Sequence, residues 1–245
     1  MKSLSFGLIL FCLFIGSCKV DPQQSTLEFI IKGKYQDKPL VFDPNYKYDY
    51  FEGSKILFTK SEFFISDIEL LDKSSKKHSI GGIYRVKLQN HHVNIEKANE
   101  GYLISIDTKE IGNFDGIRFG LGLNSTLNST NPANYSAFDV LGDGENYWSG
   151  WNSYIFTKTE GQLIGPSNNA YFVYHSGSNT SYREIEIKRP LTLIDNQKTS
   201  FVVELDHQKI FGDSTDFVNI YEVSSIHGGN DFLSKFMDNF RNGFK

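Results

Sequence analysis

Two residue types, histidine and tryptophan, give this chain its most distinctive chemistry. Six histidines are present, namely His78, His91, His92, His175, His207 and His227. Trp148 and Trp151 follow Tyr147 in one short stretch, directly before a strand-like run that ends in Glu160-Gly161. Tyr174-His175-Ser176-Gly177 comes next, where a strand is broken beside the imidazole. Since imidazole is a common ligand of transition metals, this pattern makes a metal site with aromatic walls one candidate. A hydrogen-bonded structural histidine is the alternative.

These residues resemble those of the MbnP family, copper-binding proteins of the bacterial periplasm or outer membrane. The tryptophan-rich turn, the aromatic strand closing on Glu-Gly and the His-x-Gly step carry the resemblance. In addition, the segment 58–70 is similar to the family's early aromatic strand, and the segment 116–122 resembles its central strand. Two features differ. The first strand reads Phe-Ile-Ile-Lys-Gly at residues 29–33, where the family usually has a histidine, and the tryptophans are spaced Trp-x-x-Trp instead of Trp-x-Trp.

The resemblance implies a copper site with His175 as a ligand, which His227 or His207 would complete. The sequence does not choose between the last two. Reduced copper prefers soft or imidazole ligands, and histidine is the plentiful donor because the chain has only two methionines. In the family, a partner dihaem peroxidase oxidises a tryptophan of this turn to kynurenine. Trp151 is the closer match to that position and Trp148 the substitute, with Tyr147 as a further part of the wall.

Other function classes are less favoured by the sequence. It has no nucleophile elbow, no His-Glu-x-x-His and no glycine-rich phosphate loop, so we expect no catalytic activity. The net charge is −4 and the basic residues are scattered, whereas a nucleic-acid partner would require a basic stripe. His91 and His92 are adjacent and would face opposite sides of a strand, so at most one would bind a given metal. A surface lipoprotein that binds glycans or a protein partner through Tyr147, Trp148 and Trp151 remains the alternative.

The N-terminus has the features of a bacterial lipoprotein signal. Lys2 precedes an apolar stretch, and Ile15-Gly16-Ser17-Cys18 matches a lipobox. The apolar stretch is shorter than the about 20 residues that a bilayer-spanning helix needs. We therefore expect a signal peptide at 1–17, a lipid anchor and short tether at 18–25 with the lipid on Cys18, and an MbnP-like domain at 26–245. The protein would be lipid-anchored in the cell envelope, at the outer membrane, and its mature domain would form no disulfide.

Hydrophobic residues recur mostly with a period of two. Phe201, Val203 and Leu205 alternate with other residues, as do Ile185 and Ile187, which is typical of half-buried strands. The sequence predicts an all-β fold, an antiparallel β-sandwich of roughly nine or ten strands, with a barrel as the less favoured alternative. One short C-terminal helix is predicted from about 230 to 242, where phenylalanines recur every four residues.

The segment 124–150 interrupts the strand pattern. It is rich in Asn, Ser, Thr and Gly, and compact domains rarely contain a loop of this length unless it is functional or disordered. We expect it to fold over one end of the sandwich and form one wall of the site. A mobile surface loop pinned by its two tryptophans is the alternative.

Overall fold

Strands make up most of the regular structure in the computed structural model, which describes residues 24–245. The strands are β1 Ser25–Tyr35, β2 Lys38–Pro39, β3 Tyr48–Asp49, β4 Lys55–Leu71, β5 Lys77–Ser79, β6 Tyr84–Lys87, β7 Tyr102–Thr108, β8 Gly112–Phe114, β9 Gly116–Leu121, β10 Tyr147–Trp148, β11 Ser153–Ile164, β12 Asn169–Gly177, β13 Arg183–Ile187, β14 Leu191–Leu193, β15 Lys198–Asp206 and β16 Ser225–Gly228. The helices are α1 Ile95–Glu100, α2 Ser125–Asn128, α3 His207–Ile210 and α4 Asp231–Gly243. The predicted signal peptide and Cys18 lie outside the described residues.

Two main sheets face each other, which confirms the predicted all-β sandwich. In the smaller sheet β1 pairs with β15 on one side and with β7 and β2 on the other. The larger sheet has the order β13-β9-β4-β11-β12-β16, with β3, β5 and β6 on β4 and β10 on β11. The pairs β1/β15 and β12/β16 are parallel, unlike the predicted antiparallel order. Long connections between the paired strands allow this, because parallel neighbours need a crossover.

The main core lies between these sheets. Along β1, buried residues alternate strictly with half-buried ones, and in β15 Phe201, Val203 and Leu205 are buried as predicted. Phe29 of β1 contacts Phe119 of β9 edge-on, with ring centroids 5.3 Å apart. The alternation of apolar residues therefore supplies the two inner faces.

Helix α4 lies within one residue of its predicted bounds. Asn230 caps it by accepting a hydrogen bond from the backbone N–H of Leu233 at 2.9 Å. Phe236 and Phe240 are buried, and the Phe240 ring contacts Phe63 at 5.5 Å. The helix contacts β12 and β13 of the larger sheet and β15 of the smaller one, so it packs across both. No helix within residues 24–245 has the length and apolar character needed to cross a membrane.

Three short helices were not predicted. Helices α1, α2 and α3 have four to six residues each, which is too short for a helical hydrophobic pattern to be recognised. Each begins after a polar capping residue, and in α1 the side chain of Asn94 accepts a hydrogen bond from the N–H of Lys97 at 2.8 Å. These caps are the signal that could have revealed them.

The segment 124–150 covers the outer face of the larger sheet, the face away from the main core. Phe64 and Phe156 point to this face and form a second hydrophobic cluster, completed by Leu123, Leu141 and Tyr154. Partly buried side chains of the segment pack against it, including Leu127 and Val140. The segment lies over this face instead of the predicted end of the sandwich, because these aromatic rings would otherwise be exposed to water.

Candidate metal centre

His175 and His227 lie side by side on the outer face of the larger sheet. They are direct partners in the parallel pairing of β12 with β16. Phe172 and Tyr174 point into the main core, so His175, one residue further, points outward. The two imidazole rings meet nearly at right angles, with centroids 4.8 Å apart. The sheet thus places two of the three predicted metal-ligating histidines next to each other.

Glu160 holds His175 from the neighbouring strand β11. The Nε2 atom of His175 lies 2.9 Å from Oε1 of Glu160. The same oxygen lies 3.1 Å from Nζ of Lys60, the partner of Glu160 across β4 and β11. The hydrogen bond with His175, followed by that with Lys60, lowers the pKa of Glu160 to about 2. Lys60, Glu160, His175 and His227 therefore form a row across four adjacent strands.

His227 is the outermost member of this row. Partial burial of its ring, together with the charge of His175, lowers its pKa. Its Nε2 atom lies 3.3 Å from Oγ of Ser225. A lowered pKa favours the neutral imidazole, which has the lone pair that a metal requires.

Trp148 and Trp151 cover His227 from a tight hairpin. Trp148 of β10 pairs with Ser153 of β11, and the backbone N–H of Trp151 donates to the carbonyl of Trp148 at 3.1 Å. The two indoles are stacked, with centroids 4.6 Å apart and an interplanar angle of 11°. The centroid of His227 lies 5.4 Å from that of Trp148 and 6.4 Å from that of Trp151. The hairpin thus brings both indoles against His227, the outer histidine of the pair, and Trp148 remains 40% exposed.

Two glycines lie directly beneath the Trp151 indole and allow it to pack on the sheet. A Cβ atom on Gly177 would lie 3.1 Å from Cε3 of Trp151 and 2.8 Å from the carbonyl oxygen of Tyr154. Gly228 has a φ of +112° and its Cβ would lie 3.6 Å from Cε2 of Trp151. Each glycine lies just beyond one of the two histidines, so the absence of side chains there lets the indole approach the sheet.

Tyr147 lies beneath the hairpin, on the side of the second cluster. Its ring contacts Tyr154 edge-on at 5.1 Å, and its hydroxyl donates to Oδ1 of Asn152 at 2.7 Å. Asn152 has a φ of +50° in the hairpin turn. Tyr147, predicted as part of the wall, therefore supports the turn that carries the tryptophans.

Asn128 and Lys158 fasten the covering segment to the sheet. The Oδ1 atom of the buried Asn128 accepts a hydrogen bond from the N–H of Tyr154 at 3.0 Å and lies 2.9 Å from Oγ of Ser153. Its Nδ2 atom donates to Oδ1 of Asn179 at 3.0 Å. Lys158 donates to the carbonyl of Glu145 at 2.9 Å. Neither residue was predicted to take part in the site.

His207, the third predicted ligand, is not brought to this pair. It is fully buried, with Nε2 2.9 Å from Oγ of Ser61 and Nδ1 3.2 Å from the carbonyl oxygen of Leu205. Its ring contacts Phe58 and Phe240 of the main core. Burial lowers its pKa to about 4. Both ring nitrogens of His207 therefore lie near hydrogen-bonding partners within the core, as in a structural histidine.

The remaining histidines also lie elsewhere. His92 is fully buried and accepts a hydrogen bond from the N–H of Gly33 at 3.1 Å, with His91 beside it. His78 lies between Asp72 and Glu110. Among residues 24–245, no group of three or more His, Cys, Asp or Glu side chains is arranged to hold a metal ion. His91 and His92 are thus a second pair of neighbouring imidazoles, but His92 is fully buried, whereas His175 and His227 lie at the outer face of the larger sheet.

The profile of the family described as MbnP matches residues 24–227. Among solved structures, MbnP from Methylosinus trichosporium is similar, with 11% sequence identity and a TM-score of 0.47. That alignment covers 84% of this chain and 81% of the other. No curated protein sequence matches the chain.

Proposed function

Because the chain belongs to the MbnP family, we propose that it is a lipid-anchored copper-binding protein of the bacterial cell envelope. It would act in copper acquisition, storage or delivery, without catalytic activity of its own. The observation that supports this proposal is the pair of imidazoles of His175 and His227, with centroids 4.8 Å apart and two stacked indoles against His227. Copper is then the cargo of the protein.

The donor set suits copper better than zinc. Structural zinc sites use four protein ligands and catalytic sites usually three, and only two imidazoles meet here. Imidazole is a good copper ligand, and the lowered pKa of His227 favours its metal-binding form. The indoles of Trp148 and Trp151 would shield one side of the ion from water. His175 and His227 are thus the proposed ligands.

A modified tryptophan would add to this donor set. By family resemblance, a dihaem peroxidase partner would oxidise Trp151 to kynurenine, whose amine and ketone can take part in copper binding. The position of Trp148, nearer to His227 and 40% exposed, supports it as the substitute. The mass of the protein from its native envelope distinguishes a modified chain from an unmodified one.

Competition with a Cu(I) chelator tests the site. His175→Ala and His227→Ala should each weaken Cu(I) binding at least tenfold, about 1.4 kcal/mol, because each removes one of two ligands. Trp151→Phe should weaken it only where the native residue has been oxidised. His78→Ala is the matched control, since His78 contacts Asp72 and Glu110, and its affinity should equal that of the wild type.

Equal Cu(I) affinity in the wild type and both histidine variants would contradict the proposal. The exposed indole of Trp148 would then favour a surface that binds glycan rings or a protein partner. In that case Trp148→Ala should abolish binding to the glycan or partner. Added copper should not change the affinity of the wild type for that glycan or partner.

A further inference from the structure

The contact between His175 and Glu160 constrains which ring nitrogen of His175 can bind a metal. An ionised carboxylate only accepts hydrogen bonds, and the carboxylate of Glu160 forms an ion pair with the ammonium group of Lys60, whose Nζ atom lies 3.1 Å from Oε1. The 2.9 Å contact therefore requires the proton of a neutral His175 on Nε2. The lone pair is then on Nδ1.

We propose that Glu160 is a positioning residue that fixes His175 as the Nε2–H tautomer and so presents Nδ1 as the copper-binding nitrogen. This inference rests on the proposed function. The strand order supports it, because β12 lies between β11, which carries Glu160, and β16, which carries His227. The Nε2 atom of His175 thus faces Glu160 on β11, and the imidazole of His227 lies on the opposite side of His175.

Lys60 completes the arrangement on the far side of the carboxylate. It lies 3.1 Å from the same Oε1 atom that His175 contacts. Its side chain is 33% exposed and that of Glu160 22% exposed, so the pair is only partly shielded from solvent. The ammonium group balances the charge of the carboxylate and orients it. Carboxylates that hold metal-ligating histidines in this way fix the tautomer and increase the basicity of the ligand.

The tautomer can be measured without copper. We suggest long-range ¹H–¹⁵N NMR at pH 8 on the full-length, metal-free protein labelled with ¹⁵N only in its six histidines. The His175 ring is assigned by its loss in His175→Gln. It should carry its proton on Nε2 in the wild type and become a mixture of tautomers in Glu160→Ala. Glu186→Ala, which removes a carboxylate paired with Lys188, should leave it unchanged. A wild-type proton on Nδ1 would overturn the inference.

Copper binding provides the second measurement. Glu160→Ala should weaken Cu(I) binding about 10- to 100-fold, and Glu160→Gln should lose less because its amide oxygen can still accept the hydrogen bond. X-ray absorption of the copper-loaded protein should give the same donors in the wild type and Glu160→Gln. Loss of an oxygen donor in Glu160→Gln would instead make Glu160 a direct ligand and overturn the positioning role.

The two proposals fail in different ways. If His175→Ala weakens Cu(I) binding and Glu160→Ala does not, only the role of Glu160 is overturned. If neither variant changes Cu(I) affinity, the proposed function fails, and with it the copper-binding part of this inference.

Discussion

The histidines of this protein differ in which ring nitrogens remain free. His207 has hydrogen-bonding partners at both nitrogens, and His92 is buried with Nε2 accepting from a backbone N–H. His175 and His227 instead lie at the outer face of the larger sheet, next to each other. The residue type alone does not separate these four histidines, whereas the environment of each ring does.

The buried histidines should make stability depend on pH. Burial lowers the folded-state pKa of His207 from 6.5 to about 4. The contribution of the neutral, buried His207 to the free energy of unfolding is therefore fully present above the unfolded-state pKa of 6.5 and is lost as the pH falls toward 4. The loss is on the order of 3 kcal/mol. Urea unfolding between pH 7.5 and 4.5 should show this loss, and His207→Gln should make the dependence shallower.

A control separates this effect from general acid destabilisation. His78→Gln removes a histidine that lies between two carboxylates and is not fully buried, so it should not make the pH dependence shallower in this way. If the wild type and His207→Gln lose stability in parallel, the burial of a neutral His207 is not the cause.

At the scale of elements, local patterns predicted most of the fold. Strands β13 and β15 could be predicted from the alternation of their apolar residues, and α4 from its phenylalanine stripe. These patterns are visible in the sequence because each element buries one face. The pairing of His175 with His227 could not be predicted in this way. β16 has four residues, too few for a clear alternation, and its register comes from tertiary packing. The register of β4 against β11 also shifts at Glu160/Gly161, directly beside the pairing of Lys60 with Glu160, and local sequence does not reveal this shift.

Asn128 should be a major anchor of the segment 124–150. Asn128→Ala removes the acceptor of the buried N–H of Tyr154 and the hydrogen bond to Asn179. Leaving such groups without partners costs about 1–3 kcal/mol each. We expect a lower melting temperature and stronger quenching of tryptophan fluorescence by acrylamide. Asn134→Ala, at an exposed position of the same segment, should change neither, and equal behaviour of the two variants would contradict the anchoring role.

The whole molecule combines a main core between two sheets with a second cluster on the outer face of one sheet. The chain has only two cysteines, Cys12 and Cys18, both in the segment that precedes the described residues. The described domain is therefore stabilised by burial of its core without disulfides.

Cys18 should determine where the protein is found. By the proposed function, the wild-type protein carries a lipid on Cys18 and should sediment with membranes. Cys18→Ala should be soluble or accumulate as an uncleaved precursor, which fractionation and mass spectrometry would show. A mature wild-type protein with an unlipidated N-terminus would contradict the proposed anchor.

Under the proposed function, the second cluster would affect the rate of copper exchange. Five buried side chains form it, so it opposes opening far less than the main core, and the covering segment can open as a sub-global unit while β12 and β16 remain folded. The imidazoles belong to these strands, whereas Trp148 belongs to the covering segment and Trp151 to the turn that follows it. Under the proposed function, the strands would supply the imidazole part of the affinity for the ion, and the opening free energy of the small cluster would set how fast the ion enters and leaves.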